Sequence, residues 1–200
     1  MTTVLCRVKR FYATFATYPA FLYYLKKARI SGLFPVYVRM KGREKMATKV
    51  LFICHGNICR SVSAQYIFQD LVNRRGLASE FVIDSAATAT EEIGNAIYPP
   101  MKAALERRGV PVGTHRARQL KRSDYEAYDL LIGMDEENMF YMKRILGEDL
   151  DGKIHYLMEY SGRPDEIIDD PWYTRKFDAC AAKIAEGCDG LLAETLAEGV

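Results

Sequence analysis

The stretch Cys54-His55-Gly56-Asn57-Ile58-Cys59-Arg60-Ser61 holds a cysteine and an arginine with five residues between them, followed at once by a serine. Gly56 permits backbone geometry closed to other residues, and Asn57 is among the few others that tolerate a left-handed conformation. The segment can therefore curl with its amide N–H groups pointing inward, which makes an anion cradle. Arg60 adds a planar fork able to bind two phosphoryl oxygens at once. A thiol at Cys54, facing N–H groups and a guanidinium, is in the surroundings that activate cysteines as thiolate nucleophiles. The plainer alternative for Cys54 is a small buried residue that ends a strand. A zinc pair of Cys54 with Cys59 is a further reading, weakened because no additional Cys/His pair of metal-site spacing exists, so no metal is expected.

For such a cradle to work, it must sit between a strand and a helix N-terminus. Val50-Leu51-Phe52-Ile53 is a continuous apolar run of the kind that forms a central parallel strand covered on both faces. After the loop, Ala64, Ile67, Phe68, Leu71 and Val72 recur at helical spacing until Gly76. Phe81-Val82-Ile83 opens a second strand, and a second helix closes at Arg107-Arg108-Gly109. Ser123 and Glu126 read as a capping box for a short third helix, and Leu130-Leu131-Ile132 as a third strand. Asp135-Glu136-Glu137 supplies carboxylates to the start of the next helix, which ends near Gly147, and Ile154 to Met158 reads as a fourth strand. A last helix after Pro171 carries Phe177, Cys180, Ile184, Leu191 and Leu192 near one face. Strands alternating with helices predict an α/β fold with a parallel sheet and helices on both faces, whose ligand site lies beyond the carboxyl ends of the strands. The loop from Cys54 to Ser61 occupies that place.

Charge divides the 200 residues unevenly. Residues 1–46 carry ten Lys or Arg and one acid, a balance of +9, and residues 47–200 carry eighteen against twenty-five, a balance of −7. The surplus of carboxylates in the second part argues against nucleic acid as a partner, because counterion release needs clustered cations. In the first part the longest uncharged run, Phe11 to Leu25, contains Pro19 and falls short of the ~20 apolar residues needed to cross a bilayer. Residues 1–46 are read as a basic, aromatic, non-core extension, either disordered or translated from a start upstream of Met46, and residues 47–200 as the working domain, for which no membrane association is expected. Five scattered cysteines, an odd number, favour free thiols in a reducing compartment and hence a cytoplasmic location.

VLFICHGNICRS resembles the signature loop of the low-molecular-weight protein tyrosine phosphatases, and further matches follow in family order: IDSAAT (Ile83 to Thr88), HRARQL (His115 to Leu120), GMDEEN (Gly133 to Asn138) and DDPWY (Asp169 to Tyr173). The resemblance covers about residues 48–198. It implies a four-stranded parallel sheet flanked by helices and a phosphotyrosine protein phosphatase that works through a cysteinyl-phosphate intermediate, without a cofactor, on phosphotyrosine-containing proteins, with inorganic phosphate as product. Matched motif by motif, Cys54 is the nucleophile, Arg60 the phosphate clamp, Ser61 the hydroxyl supporting the thiolate and Asp170 the general acid. His55, Gly56, Asn57, Ile58 and Cys59 complete the substrate loop, Trp172 and Tyr173 line the cleft for the tyrosine ring, and Ser85 and His115 brace the loop through Asn57 and Ser61. Cys59 also matches a family cysteine that forms a reversible disulfide with the nucleophile. Proline after Asp170 biases that residue toward an extended conformation and stiffens the loop presenting it; its neighbour Asp169 is the rival acid.

The match departs from the family pattern at His55, often leucine, at Val62, commonly proline, and at Glu91, where some members place an aromatic wall. An acidic wall there would repel acidic peptides, which leaves substrate preference open. Three rivals remain. A thioredoxin-coupled arsenate reductase shares the fold but needs further relay cysteines, and none lies between Cys59 and Cys180. A protein-arginine phosphatase carries threonine where Ile58 stands and less aromatic bulk after the proline. A phosphotyrosine-binding module without catalysis usually lacks the nucleophile or the acid, and this chain keeps both.

Overall fold

The computed structural model describes residues 47–198; the reading of residues 1–46 as an extension lies outside them. Four parallel strands, β1 (Thr48–Cys54), β2 (Phe81–Ala87), β3 (Leu130–Gly133) and β4 (Ile154–Tyr156), form one sheet in the order β2-β1-β3-β4. The chain order reverses around β1, so the crevice at its carboxyl end is where a doubly wound sheet binds ligands. The helices are α1 (Arg60–Arg74), α2 (Pro99–Arg107), α3 (Asp124–Ala127), α4 (Glu136–Leu146), α5 (Pro171–Thr174) and α6 (Phe177–Glu198).

The unbroken apolar run in β1 has the burial its composition requires. Val50, Leu51, Phe52 and Ile53 are all fully buried, and alternate residues serve opposite faces. Val50 and Phe52 join the cluster that holds Phe68 of α1, Met101 and Leu105 of α2, and Ile184, Leu191 and Leu192 of α6. Leu51 and Ile53 join Tyr125 of α3 and Met139, Met142 and Leu146 of α4. Phe52, Phe68 and Phe81 add two edge-on ring contacts at 5.7 and 5.4 Å. Cys180 and Cys188 are buried in the first cluster, as their spacing on one helix face suggests.

Two local expectations fail. Ser123 does precede α3, but its backbone is already helical (φ −65°, ψ −17°) and its side chain caps nothing. A capping hydroxyl needs an extended Ncap residue, and here Asp124 instead accepts from the Lys121 N–H at 2.8 Å. The fourth strand stops at Tyr156, and Leu157–Ser161 coils into a 3-10 turn packed under α6. That packing depends on two glycines. A Cβ on Gly190 would lie 1.9 Å from the Tyr160 carbonyl oxygen, and one on Gly187 2.6 Å from Leu157 Cγ. Helix propensity alone would make Gly190→Ala stabilising by about 1 kcal/mol. Overpacking against backbone costs about 1–3 kcal/mol or more, so the variant is expected to melt several degrees lower in a thermal unfolding scan, and a higher melting temperature would contradict this account of the contact.

Among the described residues no helix is long and apolar enough to cross a membrane.

Candidate active site

Strand β1 delivers Cys54 to the carboxyl edge of the sheet, and the chain then turns through Asn57, whose φ of 56° is the left-handed conformation that its residue type tolerates. Helix α1 begins at Arg60 with Cys59 as its N-cap residue, no side chain capping its first turn and no acid in that turn. The positive end of the helix therefore faces the loop, as an anion site requires.

Asn57 is the keystone of the loop, fully buried and bonded on every side. Its Nδ2 donates to Ser61 Oγ at 2.9 Å and to Ser85 Oγ at 2.8 Å, and its Oδ1 accepts from the Arg118 N–H at 3.1 Å. Its carbonyl oxygen meets His115 Nε2 at 2.7 Å. Burial lowers the pKa of His115 below the ordinary histidine value, against the pull of this carbonyl and of Asp84. The ring is thus neutral at pH 7 and carries on Nε2 the hydrogen the carbonyl accepts. Ser85 in turn donates to Gln65 Oε1 at 2.6 Å. Ser61 Oγ already accepts from Asn57, which leaves its single proton free to point at Cys54 Sγ, 3.0 Å away. The hydroxyl is thus placed to donate to the sulfur when Cys54 is a thiolate.

Arg60 lies almost wholly out of solvent, with a side chain 1% exposed. One guanidinium nitrogen bonds Asp135 Oδ2 and the Ile168 carbonyl, and the other bonds Asp170 Oδ2 at 2.6 Å. Burial works against its charge, but Cys54, Asp170 and Asp135 more than offset this and raise its pKa above the usual arginine value. Asp170 serves as N-cap of α5, its Oδ1 accepting from the Trp172 N–H at 2.9 Å. Its neighbour Asp169 is exposed and lines a separate recess with Lys176 and Cys180.

One cleft gathers Cys54, His55, Gly56, Ile58, Cys59, Arg60, Asp170, Trp172 and Tyr173, together with Glu91 and Glu92. Ser61, Asn57, Ser85 and His115 lie behind it and act on its walls through the bonds above. Trp172 meets the ring of Tyr98 at a tilt of 58° with centroids 5.1 Å apart, with the Arg175 guanidinium 5.4 Å from its own ring, whereas Tyr173 is 83% exposed at the rim. Val62, in place of the common proline, is fully buried in the first turn of α1 and leaves the helix intact.

Sequence reasoning assigned Asp135 only to the start of α4, where its Oδ1 does accept from the Asn138 N–H at 2.7 Å. Its second oxygen on Arg60 went unforeseen, although the GMDEEN match contained the residue. Also missed were the Ile168 carbonyl, Glu92 in the cleft wall, and the cluster in which Arg118 binds Asp84 at 2.9 Å and Asp124 at 3.1 Å, tying the HRARQL segment to the sheet edge.

Fold and site together define a doubly wound domain that sets a cysteine in a loop at a helix N-terminus beside a buried arginine. The model of the family "Low molecular weight phosphotyrosine protein phosphatase" matches residues 49–200. Among the relatives, the low molecular weight protein-tyrosine-phosphatase YfkJ of Bacillus subtilis is 36% identical over 145 residues, covering 72% of this chain and 93% of its own. The human low molecular weight phosphotyrosine protein phosphatase is 35% identical over 137 residues, covering 68% and 86%. The crystal structure of YfkJ superposes with a TM-score of 0.74 at 35% identity over 78% of this chain and 99% of that one. The chain belongs to the low molecular weight phosphotyrosine protein phosphatase family, and it is a hydrolase.

Proposed function

We propose that residues 47–200 are the phosphatase domain and remove the phosphoryl group from phosphotyrosine in proteins, with Cys54 as nucleophile, Arg60 as clamp and Asp170 as general acid. The observation that carries this reading is one cleft holding Cys54 Sγ, the uncapped start of α1, the Arg60 fork and the Asp170 carboxyl. Sγ attacks phosphorus and the bond to the phenolic oxygen breaks, its electron pair leaving with that oxygen. Asp170 gives the departing oxygen a proton. The nitrogen of Arg60 that bonds Asp170 must turn to a phosphoryl oxygen, which releases the carboxyl toward the leaving group; Asp135 and the Ile168 carbonyl keep hold of the other nitrogen, so the fork pivots without losing its anchor. Water then attacks the cysteinyl-phosphate, giving its proton to the Asp170 carboxylate; the S–P bond breaks with its electron pair on Sγ, the Cys54 thiolate is restored and inorganic phosphate leaves. The loop N–H groups and Arg60 supply charge stabilisation that in other phosphatases a metal provides.

The rival readings fare less well. Cys188 is completely buried, with its pKa raised well above the ordinary thiol value by burial, and burial likewise pushes Cys180 up to about 12. Neither lines the cleft that holds Cys54, so neither is placed there for the disulfide relay that arsenate reduction needs. Ile58 in the cleft and the aromatic pair Trp172 and Tyr173 favour an aryl over a guanidino substrate. Four unpaired cysteines among the described residues support a reducing, cytoplasmic setting. The test is hydrolysis of an aryl phosphate and a phosphotyrosyl peptide, with and without a chelator, beside an arsenate reduction assay. Turnover with chelator and competitive inhibition by vanadate are expected; complete loss on chelation, or arsenate reduction alone, overturns the reading.

Redox control follows from the same geometry. Cys59 lines the cleft with Cys54, and burial, then the neighbouring Cys54, hold its thiol protonated. Peroxide is expected to convert the Cys54 thiolate to a sulfenic acid, which the Cys59 thiol attacks, forming a disulfide and releasing water. Cys59→Ala is therefore expected to lose recovery of its own starting activity by dithiothreitol after a peroxide pulse. Recovery equal to wild type removes Cys59 from the mechanism.

A further inference from the structure

The mouth of the cleft has a charge that the chemistry on its floor does not use. Glu91 and Glu92 form one wall, and Glu137, on the first turn of α4, stands across from Glu91 with His55 between them. The His55 ring nitrogens lie 4.0 Å from Glu91 Oε2 and 3.9 Å from Glu137 Oε1, too far for hydrogen bonds, and the two glutamates are 70% and 56% exposed. Their carboxylates therefore reach solvent at the place where a peptide must pass.

Glu91 and Glu92 are fixed parts of the substrate cleft. Glu92 rests its stem on Gly56, so closely that a Cβ on that glycine would lie 3.1 Å from Glu92 Cγ, and its Oε2 accepts from Asn95 Nδ2 at 2.7 Å. Glu91 Oε2 accepts from the Thr90 N–H at 3.0 Å. Their loop is tied to the cradle itself, since Thr88 N–H donates to the Cys54 carbonyl at 2.9 Å and Ala89 N–H to the His55 carbonyl at 3.0 Å.

Beside these carboxylates His55 is the one cleft-lining side chain able to act as a counter-charge, and only when protonated. Among its lining residues Arg60 alone is permanently cationic, and it is buried between Asp135 and Asp170. Arg175 lies over Trp172 and bonds the Tyr98 hydroxyl. A phosphate dianion is drawn in by the loop at the bottom, while the rim presents three carboxylates to the residues on either side of the phosphotyrosine.

We infer that Glu91, Glu92 and Glu137 make this enzyme select phosphotyrosine flanked by lysine or arginine and reject it when flanked by aspartate or glutamate. The inference rests on the phosphatase reading above and adds the substrate class. Opposite charges across a solvent-exposed rim contribute modestly each, so the summed preference is expected to be about three- to tenfold, and to fade with salt because the screening length falls to about 3 Å at 1 M.

The experiment measures kcat/KM of the full chain on two phosphotyrosyl peptides that differ only in carrying Lys or Glu on both sides of the phosphotyrosine, with a small aryl phosphate beside them, at low and at high ionic strength. A Lys:Glu ratio of about three- to tenfold at low salt is expected, shrinking toward one at high salt and in the double variant Glu91→Gln/Glu137→Gln. Turnover of all three substrates with a ratio near one, a preference for the Glu peptide, or a ratio untouched by the double variant overturns the inference and leaves the phosphatase reading standing. Failure to hydrolyse even the aryl phosphate overturns both.

Discussion

Cys54→Ser is expected to lower turnover of any phosphotyrosyl substrate by on the order of 10⁴-fold or more, as loss of a covalent nucleophile does in other enzymes. The substitution exchanges one small atom for another at the end of β1, in a buried position whose neighbour at 3.0 Å is a hydroxyl able to bond an oxygen as readily as a sulfur. The fold and the cradle should therefore survive. A serine hydroxyl, however, stays protonated at neutral pH, and its hydrogen-bond neighbour Ser61 is another hydroxyl, too weak a base to take that proton. Inorganic phosphate should still bind, because the loop N–H groups and Arg60 are untouched. Binding measured by calorimetry beside steady-state kinetics checks both halves; turnover within about tenfold of wild type would mean that another group attacks phosphorus.

The second large effect concerns Asp170. Asp170→Asn should slow substrates with poor leaving groups by roughly 10²–10⁴-fold, the range of general acid catalysis, and activated aryl phosphates much less. The variant keeps what the residue does structurally. An amide oxygen can still accept from the Trp172 N–H to start α5, and Arg60 retains Asp135 and the Ile168 carbonyl. A dependence on leaving-group basicity is therefore the informative readout, since a merely structural defect would slow all substrates alike. Asp169→Asn serves as the comparison, because Asp169 is exposed and outside the cleft. A larger effect at 169 than at 170 would place the acid one residue earlier.

What could be read from the sequence was what local pattern controls. The apolar run of β1, the left-handed Asn57 and the start of α1 at Arg60 each follow from residue type and near neighbours, so the cradle was legible as a cradle. Asp170 was legible because proline marks it. The partners of Arg60 were harder: Asp135, Ile168 and Asp170 lie 75, 108 and 110 residues away along the chain. Asp135 in particular has a sufficient local explanation as a helix cap, which conceals its second oxygen, and the Ile168 contribution is a backbone carbonyl with no side-chain signature at all. The capping box at Ser123 failed for the converse reason. Its spacing was right, but the short helix is held by Asp124, whose carboxylate takes the Lys121 N–H and pairs with Arg118, and this pulls Ser123 into helical geometry. Tertiary bonds outweigh a local motif worth about 1 kcal/mol.

In the proposed reaction the phosphoryl group passes through Cys54. The chain is mixed with an aryl phosphate, quenched within milliseconds and digested, and the peptides are weighed by mass spectrometry. One phosphoryl group is expected on the peptide that carries Cys54, formed as fast as the first phenol is released and gone when substrate is exhausted. Phenol released at the normal rate with no phosphoryl group on the protein, or with the group on another residue, would contradict it.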